Sequence, residues 1–109
     1  MAYDRDLAER VWQAMAGTPG LVEKKMFGGT GYLLYGNMAC GVNGPNLIVR
    51  VGPQAYQEAL EQPGVHIFDL TGRPMSGWVQ VTPAGLSDQA ALQAWIGRGI
   101  QFAQSLPPK

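Results

Sequence analysis

The sequence is short of the side chains that most often carry chemistry. It contains one cysteine, Cys40, and one histidine, His66, set 26 positions apart. A single cysteine excludes an internal disulfide. Together the two fall short of the three or four ligands a zinc site requires, so no metal is expected. Cys40 acts as a nucleophile only with a base beside it, and nothing in the sequence brings His66 to it. Charge is also sparse, at 15% of residues, and eight Lys and Arg offset eight Asp and Glu to a formal net charge of zero. Avid binding to nucleic acid or anionic membranes usually shows as a basic excess, which is missing here, although a local basic patch stays open. The uncharged stretch from Met26 to Leu47 holds six glycines and three asparagines, and so reads as strands and turns rather than a membrane span. The opening residues, Met1-Ala2-Tyr3-Asp4-Arg5-Asp6, are charged and do not make a signal peptide. A cytoplasmic location is expected, where reducing conditions suit a lone cysteine, with no membrane contact.

What the sequence does have is apolar surface enough for a core. Hydrophobic residues make up 46% of the 109, and residues 1–109 are expected to form a single domain. Leu7, Ala8, Val11, Trp12 and Met15 recur at spacings of three and four, which predicts the inward face of a helix over residues 4–16. Gly17-Thr18-Pro19-Gly20 ends it. Four short strands are predicted near 21–27, 31–36, 38–43 and 46–51, and the short Gly- and Asn-containing breaks between them make neighbours antiparallel hairpins. Leu47, Val49 and Val51 share one face against Ile48 and Arg50. Met38, Cys40 and Val42 alternate in the same way with Ala39 and Gly41.

Gly52-Pro53 starts a second helix with Ala55, Tyr56, Ala59 and Leu60 turned inward. Val65–Phe68 and Trp78–Val81 read as two further strands, separated by a nine-residue loop from Asp69 to Gly77. A last helix runs from about Asp88 to Leu106, with Ser87 as its N-cap and Leu92, Trp95, Ile96, Gly99, Phe102, Ala103 and Leu106 facing in. The fold class is therefore α+β: a mainly antiparallel sheet of about six strands with three helices packed against it.

Few motifs suggest chemistry. Gly28-Gly29-Thr30-Gly31, with Lys24 and Lys25 upstream, invites a phosphate-loop reading. It fits neither glycine-rich phosphate signature, and a strand rather than a helix follows it. A tight turn or bulge with positive φ is the plainer expectation, and no cofactor is expected. Cys40 reads as a buried, inert thiol, and His66 as structural or exposed. Asp4, Asp6, Glu9, Glu58 and Glu61 read as solvated helix faces. Lys24, Lys25, Arg50 and Arg73 either converge into a modest cationic patch or are scattered charges offset by Glu23 and Asp69. The loop from Asp69 to Gly77 is a candidate partner contact, because Arg73 and Met75 are residue types enriched at interfaces. The competing reading pairs Arg73 with Asp69 and places Met75 and Trp78 in the core.

Met26-Phe27-Gly28-Gly29, Gly36-Asn37-Met38, Arg50-Val51-Gly52-Pro53 and Thr71-Gly72-Arg73-Pro74-Met75 with Gly77-Trp78 come in this order. Together with the closing helix and its Ser105-Leu106-Pro107-Pro108-Lys109 tail, they resemble the TfoX N-terminal domain family over nearly the whole chain. The resemblance implies helices packed on a mainly antiparallel sheet. It also implies kinship with regulators of DNA-uptake competence genes, in which this domain precedes a separate helical one and a partner transcription factor takes part. The chain is expected to represent the first of those domains alone. The resemblance transfers no catalytic residues. The expectation is a non-enzymatic regulatory or protein-interaction module, with a protein partner and self-association open to it. Alternatives are a weak nucleic-acid-binding module and a small-molecule binder using the glycine-rich turn.

Overall fold

The computed structural model describes residues 4–26, 29–69, 74–86 and 88–108. Asp4 accepts a hydrogen bond from the Leu7 amide (3.1 Å) and caps the first helix, α1, Arg5–Met15. Leu7, Ala8, Val11 and Met15 are buried as their spacing predicts. Trp12 is not: it is 38% exposed, its ring 6.4 Å from that of Tyr32.

Six strands follow: β1 (Leu21–Met26), β2 (Gly29–Leu34), β3 (Asn37–Asn43), β4 (Asn46–Arg50), β5 (Val65–Asp69) and β6 (Pro74–Val81). They make one antiparallel sheet in the order β1-β2-β3-β4-β6-β5. The first four are consecutive hairpins. The β2–β3 turn is Tyr35-Gly36, with φ of +51° and +87°, the doubly left-handed geometry of a tight two-residue hairpin. A short helix, α2 (Tyr56–Leu60), then carries the chain to the far edge, so that β6 returns between β4 and β5. The last helix, α3, Gln89–Gln104, follows a single 3-10 turn at Pro83–Leu86.

Three sequence expectations change. The glycine-rich segment is not a left-handed turn where it is described: Gly29 and Gly31 lie inside β2, and neither has positive φ. Gly29 is needed for proximity, since a Cβ there would stand 1.9 Å from the Val42 carbonyl oxygen. Gly28 falls outside the described residues. The nine-residue loop also shrinks, because β5 runs to Asp69 and β6 begins at Pro74. A proline can take the first place in a strand, where its missing N–H is tolerated. Ser87 is likewise outside the described residues, and the α3 cap is Asp88, whose carboxylate accepts from the Ala91 amide at 2.7 Å.

A bulge corrects the alternation read for β3. Tyr32 pairs with Cys40 but Leu33 pairs with Met38, so β3 carries one extra residue, Ala39. Ala39 and Cys40 both enter the main core. Met38 turns away from it, its Cε 2.7 Å from where a Gly41 Cβ would be.

Cross-strand pairing puts Tyr32, Cys40, Val42, Leu47, Val49, Val79 and Val81 on one face. Leu7, Val11 and Met15 of α1, Ala59 of α2, and Leu92, Trp95 and Ile96 of α3 join them in a single core. All three helices thus serve the same face of the sheet. Ala55, Tyr56 and Leu60 pack half-buried at its margin, as their helical spacing predicts. The tightest approach is at Gly99 of α3, where a Cβ would come 2.4 Å from the Ala39 carbonyl oxygen. No comparable reason attends Gly97, which is exposed, with open space where a Cβ would go.

Candidate functional site

The sheet order places three of the four cations, Lys24, Lys25 and Arg50. Lys24 lies on the edge strand β1, in a row that runs through Gly31 and Gly41 to Ile48 of β4. Three strand spacings, roughly 14 Å, therefore separate it laterally from β4, where Arg50 stands. Lys25 neighbours Lys24, and Arg73 is outside the described residues. Arg50 and Met75, by contrast, sit on adjacent strands: Arg50 faces Trp78 across the β4–β6 ladder, and Met75 is half-buried three residues before Trp78.

Arg50 is neither part of a four-cation patch nor paired with Glu23 or Asp69. Its guanidinium carbon sits 5.2 Å from the Trp78 ring centroid and 5.3 Å from that of Phe102. Two aromatic faces hold the cation by their quadrupoles and keep its direction fixed. Among the described residues, the one salt bridge joins Arg98 of α3 to Glu58 of α2.

These contacts frame a cleft of about 660 Å³. One wall is the turn from Gly52 to Ala55 that leaves β4; the other is Arg98, Gln101, Phe102 and Ser105 on the last turns of α3 and its cap. The turn is fixed by backbone geometry. The amides of Val51 and Gly52 both donate to the Gly77 carbonyl, at 2.8 and 3.0 Å. Gly52 has φ +89°, and a Cβ there would lie 2.5 Å from the Phe102 ring. A glycine is required on both counts. Arg98 crosses from α3 to Glu58 with its guanidinium carbon 4.8 Å from the Trp95 centroid, so one cation ties two helices and an aromatic ring together at the cleft's side. The cleft offers apolar carbon from Val51, Pro53, Ala55 and Phe102, with two amides, a hydroxyl and one arginine. Its size is that of an ordinary ligand or side-chain pocket.

A smaller hollow of about 270 Å³ lies at α1 and β1, among Arg5, Ala8, Glu9, Trp12 and Glu23. Its one distinguishing feature is the exposed indole.

Cys40 is fully buried, and that burial pushes its thiol up to about 12. The reactive thiolate is therefore strongly disfavoured at neutral pH. Its sulfur lies 3.5 Å from that of Met15. His66 is exposed on β5, with β4 and β6 between it and Cys40's strand. The two therefore form no nucleophile–base pair. Among the described residues, no three Cys, His, Asp or Glu side chains group as metal ligands, and no helix is long and apolar enough to cross a membrane.

The cleft was not visible in the sequence. Glu58 and Arg98 are 40 positions apart, and Phe102 reads there simply as core. The local signal was Gly52-Pro53 directly after a strand, the mark of a sharp turn that leaves a concavity beside it.

A six-stranded antiparallel sheet covered on one face by three helices, with a cleft where a strand end meets the last helix, defines a small α+β domain with a preformed concavity. The chain belongs to the TfoX N-terminal domain family, whose profile matches residues 13–103. That span takes in all six strands, α2 and every cleft residue except Ser105. No curated protein and no solved structure matches the chain.

Proposed function

We propose that this domain is a non-enzymatic regulatory module that binds a protein partner at the cleft between the Gly52–Ala55 turn and α3. The observation that carries the reading is the cleft's construction. Its apolar walls are held rigidly by Gly52, Phe102 and the double hydrogen bond to Gly77, and both walls add polar groups, Gln54 from the turn and Arg98, Gln101 and Ser105 from α3 and its cap. Rigid concavities of this kind receive an anchoring side chain at low entropic cost. Arg98, the one arginine that lines the cleft, biases the occupant toward a bulky apolar residue flanked by a carboxylate. Membership of the TfoX N-terminal domain family supports a regulatory setting, including a transcription factor or a separate helical chain as partner. The distance of Lys24 and Lys25 from Arg50 argues against nucleic acid, which needs its cations along one track. The location that goes with this reading is cytoplasmic.

Site-specific photocrosslinking in the native cell tests this. A photoreactive residue at Gln101 should trap one protein that the same residue at Glu9, on α1, does not trap. Excess unlabelled domain should compete the product away. Identical products from both positions, or a Gln101 product that no competitor reduces, would overturn the reading.

A further inference from the structure

Among the described residues the sheet ends in two edge strands, β1 and β5, and they differ in what they present. An edge strand offers unpaired backbone groups to any second strand. β1 is defended by charge: Val22, Glu23, Lys24 and Lys25 are all exposed. Two copies can join into one continuous sheet with their faces aligned only if residues of like parity oppose each other. For β1, the two such antiparallel registers that overlap five residues set Glu23 against Glu23, or Lys24 against Lys24 with Glu23 opposite Lys25 on either side, and both bring exposed lysines, which blunt a strand edge, into the seam. Like charges directly opposite are destabilising.

β5 lacks that defence. The Gly64 carbonyl accepts from the Thr82 amide at 2.8 Å, at the start of the β5–β6 ladder. By the alternation of an antiparallel ladder, Gly64 and His66 direct their backbone groups to β6, and Val65 and Ile67 direct theirs outward. Val65 uses its N–H locally, on the Gln62 carbonyl at 3.3 Å. Ile67, the last residue before the ladder's irregularity between Ile67 and Asp69, therefore presents its N–H and C=O at the edge with no partner among the described residues, beneath an apolar side chain that is 46% exposed. The like-parity register that overlaps all five residues sets Ile67 against Ile67, His66 against Phe68 and Val65 against Asp69. No like charges meet.

We infer that β5 pairs antiparallel with β5 of a second copy, about a two-fold axis at Ile67, joining two six-stranded sheets into one of twelve. The Ile67 residues exchange reciprocal N–H···O=C bonds, and their side chains cover each other on the helix-bearing face. This pairing is independent of the cleft and of any partner bound there. It is a small contact and so concentration-dependent.

Sedimentation equilibrium of the full chain from 5 to 500 µM tests it, together with thiol crosslinking. The weight-average mass should rise from 11.7 kDa toward twice that value. Ile67→Lys should hold it at the monomer value throughout with an unchanged circular dichroism spectrum, whereas Val22→Lys on the other edge should dimerise like the parent. Ile67→Cys should form a disulfide dimer under diamide at least tenfold faster than Val22→Cys, with buried Cys40 silent in both. A monomer at 500 µM, a dimer that survives Ile67→Lys in folded protein, or equal crosslinking rates from the two edges would overturn the pairing.

Discussion

Two glycines in one helix should respond oppositely to the same substitution. Gly97 and Gly99 both lie inside α3, and each costs about 1 kcal/mol in helix propensity relative to alanine. At Gly97 an added Cβ meets nothing within 4 Å, so Gly97→Ala should recover that 1 kcal/mol. At Gly99 the Cβ would stand 2.4 Å from the Ala39 carbonyl oxygen and 3.1 Å from its carbon. Ordinary contact requires α3 to retreat from β3 by about 1 Å, because the obstacle is backbone and has no rotamer to change. Overpacking of this kind costs about 1–3 kcal/mol. The immovable neighbour puts Gly99→Ala near the upper end, for a net loss of about 1–2 kcal/mol after the propensity gain. In thermal unfolding followed by circular dichroism, Gly97→Ala should melt about 4–8 °C higher and Gly99→Ala lower by a similar or larger amount. If both variants melt higher, α3 does not press on β3 as described, and the packing argument fails.

Cys40→Ser should lower stability by about 1–3 kcal/mol, from a hydroxyl placed among Met15, Val42 and Val49, as measured by urea unfolding. Because the folded thiol is pushed up to about 12 from an ordinary 9.0, the native state resists ionisation of Cys40. Its contribution is unaffected below pH 9 and should decline as pH rises from there toward 12, by about 1.4 kcal/mol per unit, a slope that Cys40→Ala would remove. Asp4→Ala deletes the α1 cap and should cost about 1 kcal/mol by the same assay. Gly52→Ala meets both a positive φ and the Phe102 ring, so it should destabilise by about 1–3 kcal/mol and shift the NMR signals of the cleft residues first.

Much of the fold could be read from spacing, since local periodicity and breakers act over a few residues. The buried positions of α1 and α3 follow the three-and-four pattern, and the Gly- and Asn-marked hairpins of β1 to β4 fall close to where the breaks place them. The misreadings share a cause. Pro74, Ser76 and Gly77 look like a loop from composition alone, yet long-range partners hold the segment in β6: Pro74 pairs with Asp69 of β5, and the Gly77 carbonyl accepts from the Val51 and Gly52 amides that follow β4. Ala39 disturbs the β3 alternation because a bulge depends on a partner strand, and no single-strand pattern contains one. Trp12 falls on the correct helical stripe but at its margin, where a large side chain stays partly outside.

The candidate site was less legible for a physical reason. Its parts are long-range by construction: Gly52 gains meaning from Phe102, and Arg50 from Trp78 and Phe102, each partner 28 or more positions away in sequence. Charge counting left open whether Arg50, Lys24 and Lys25 converge or scatter, because it treats cations as interchangeable. The sheet order and the stacking on two rings make Arg50 a positioned planar group, while the two lysines remain solvated point charges on an edge. A lysine edge discourages strand addition at β1, and its absence at β5 leaves Ile67 with open backbone groups beneath an apolar side chain. The charges that the sequence left as either one patch or scattered thus separate by role: those on β1 guard an edge, and the one on β4 braces the wall of a cleft.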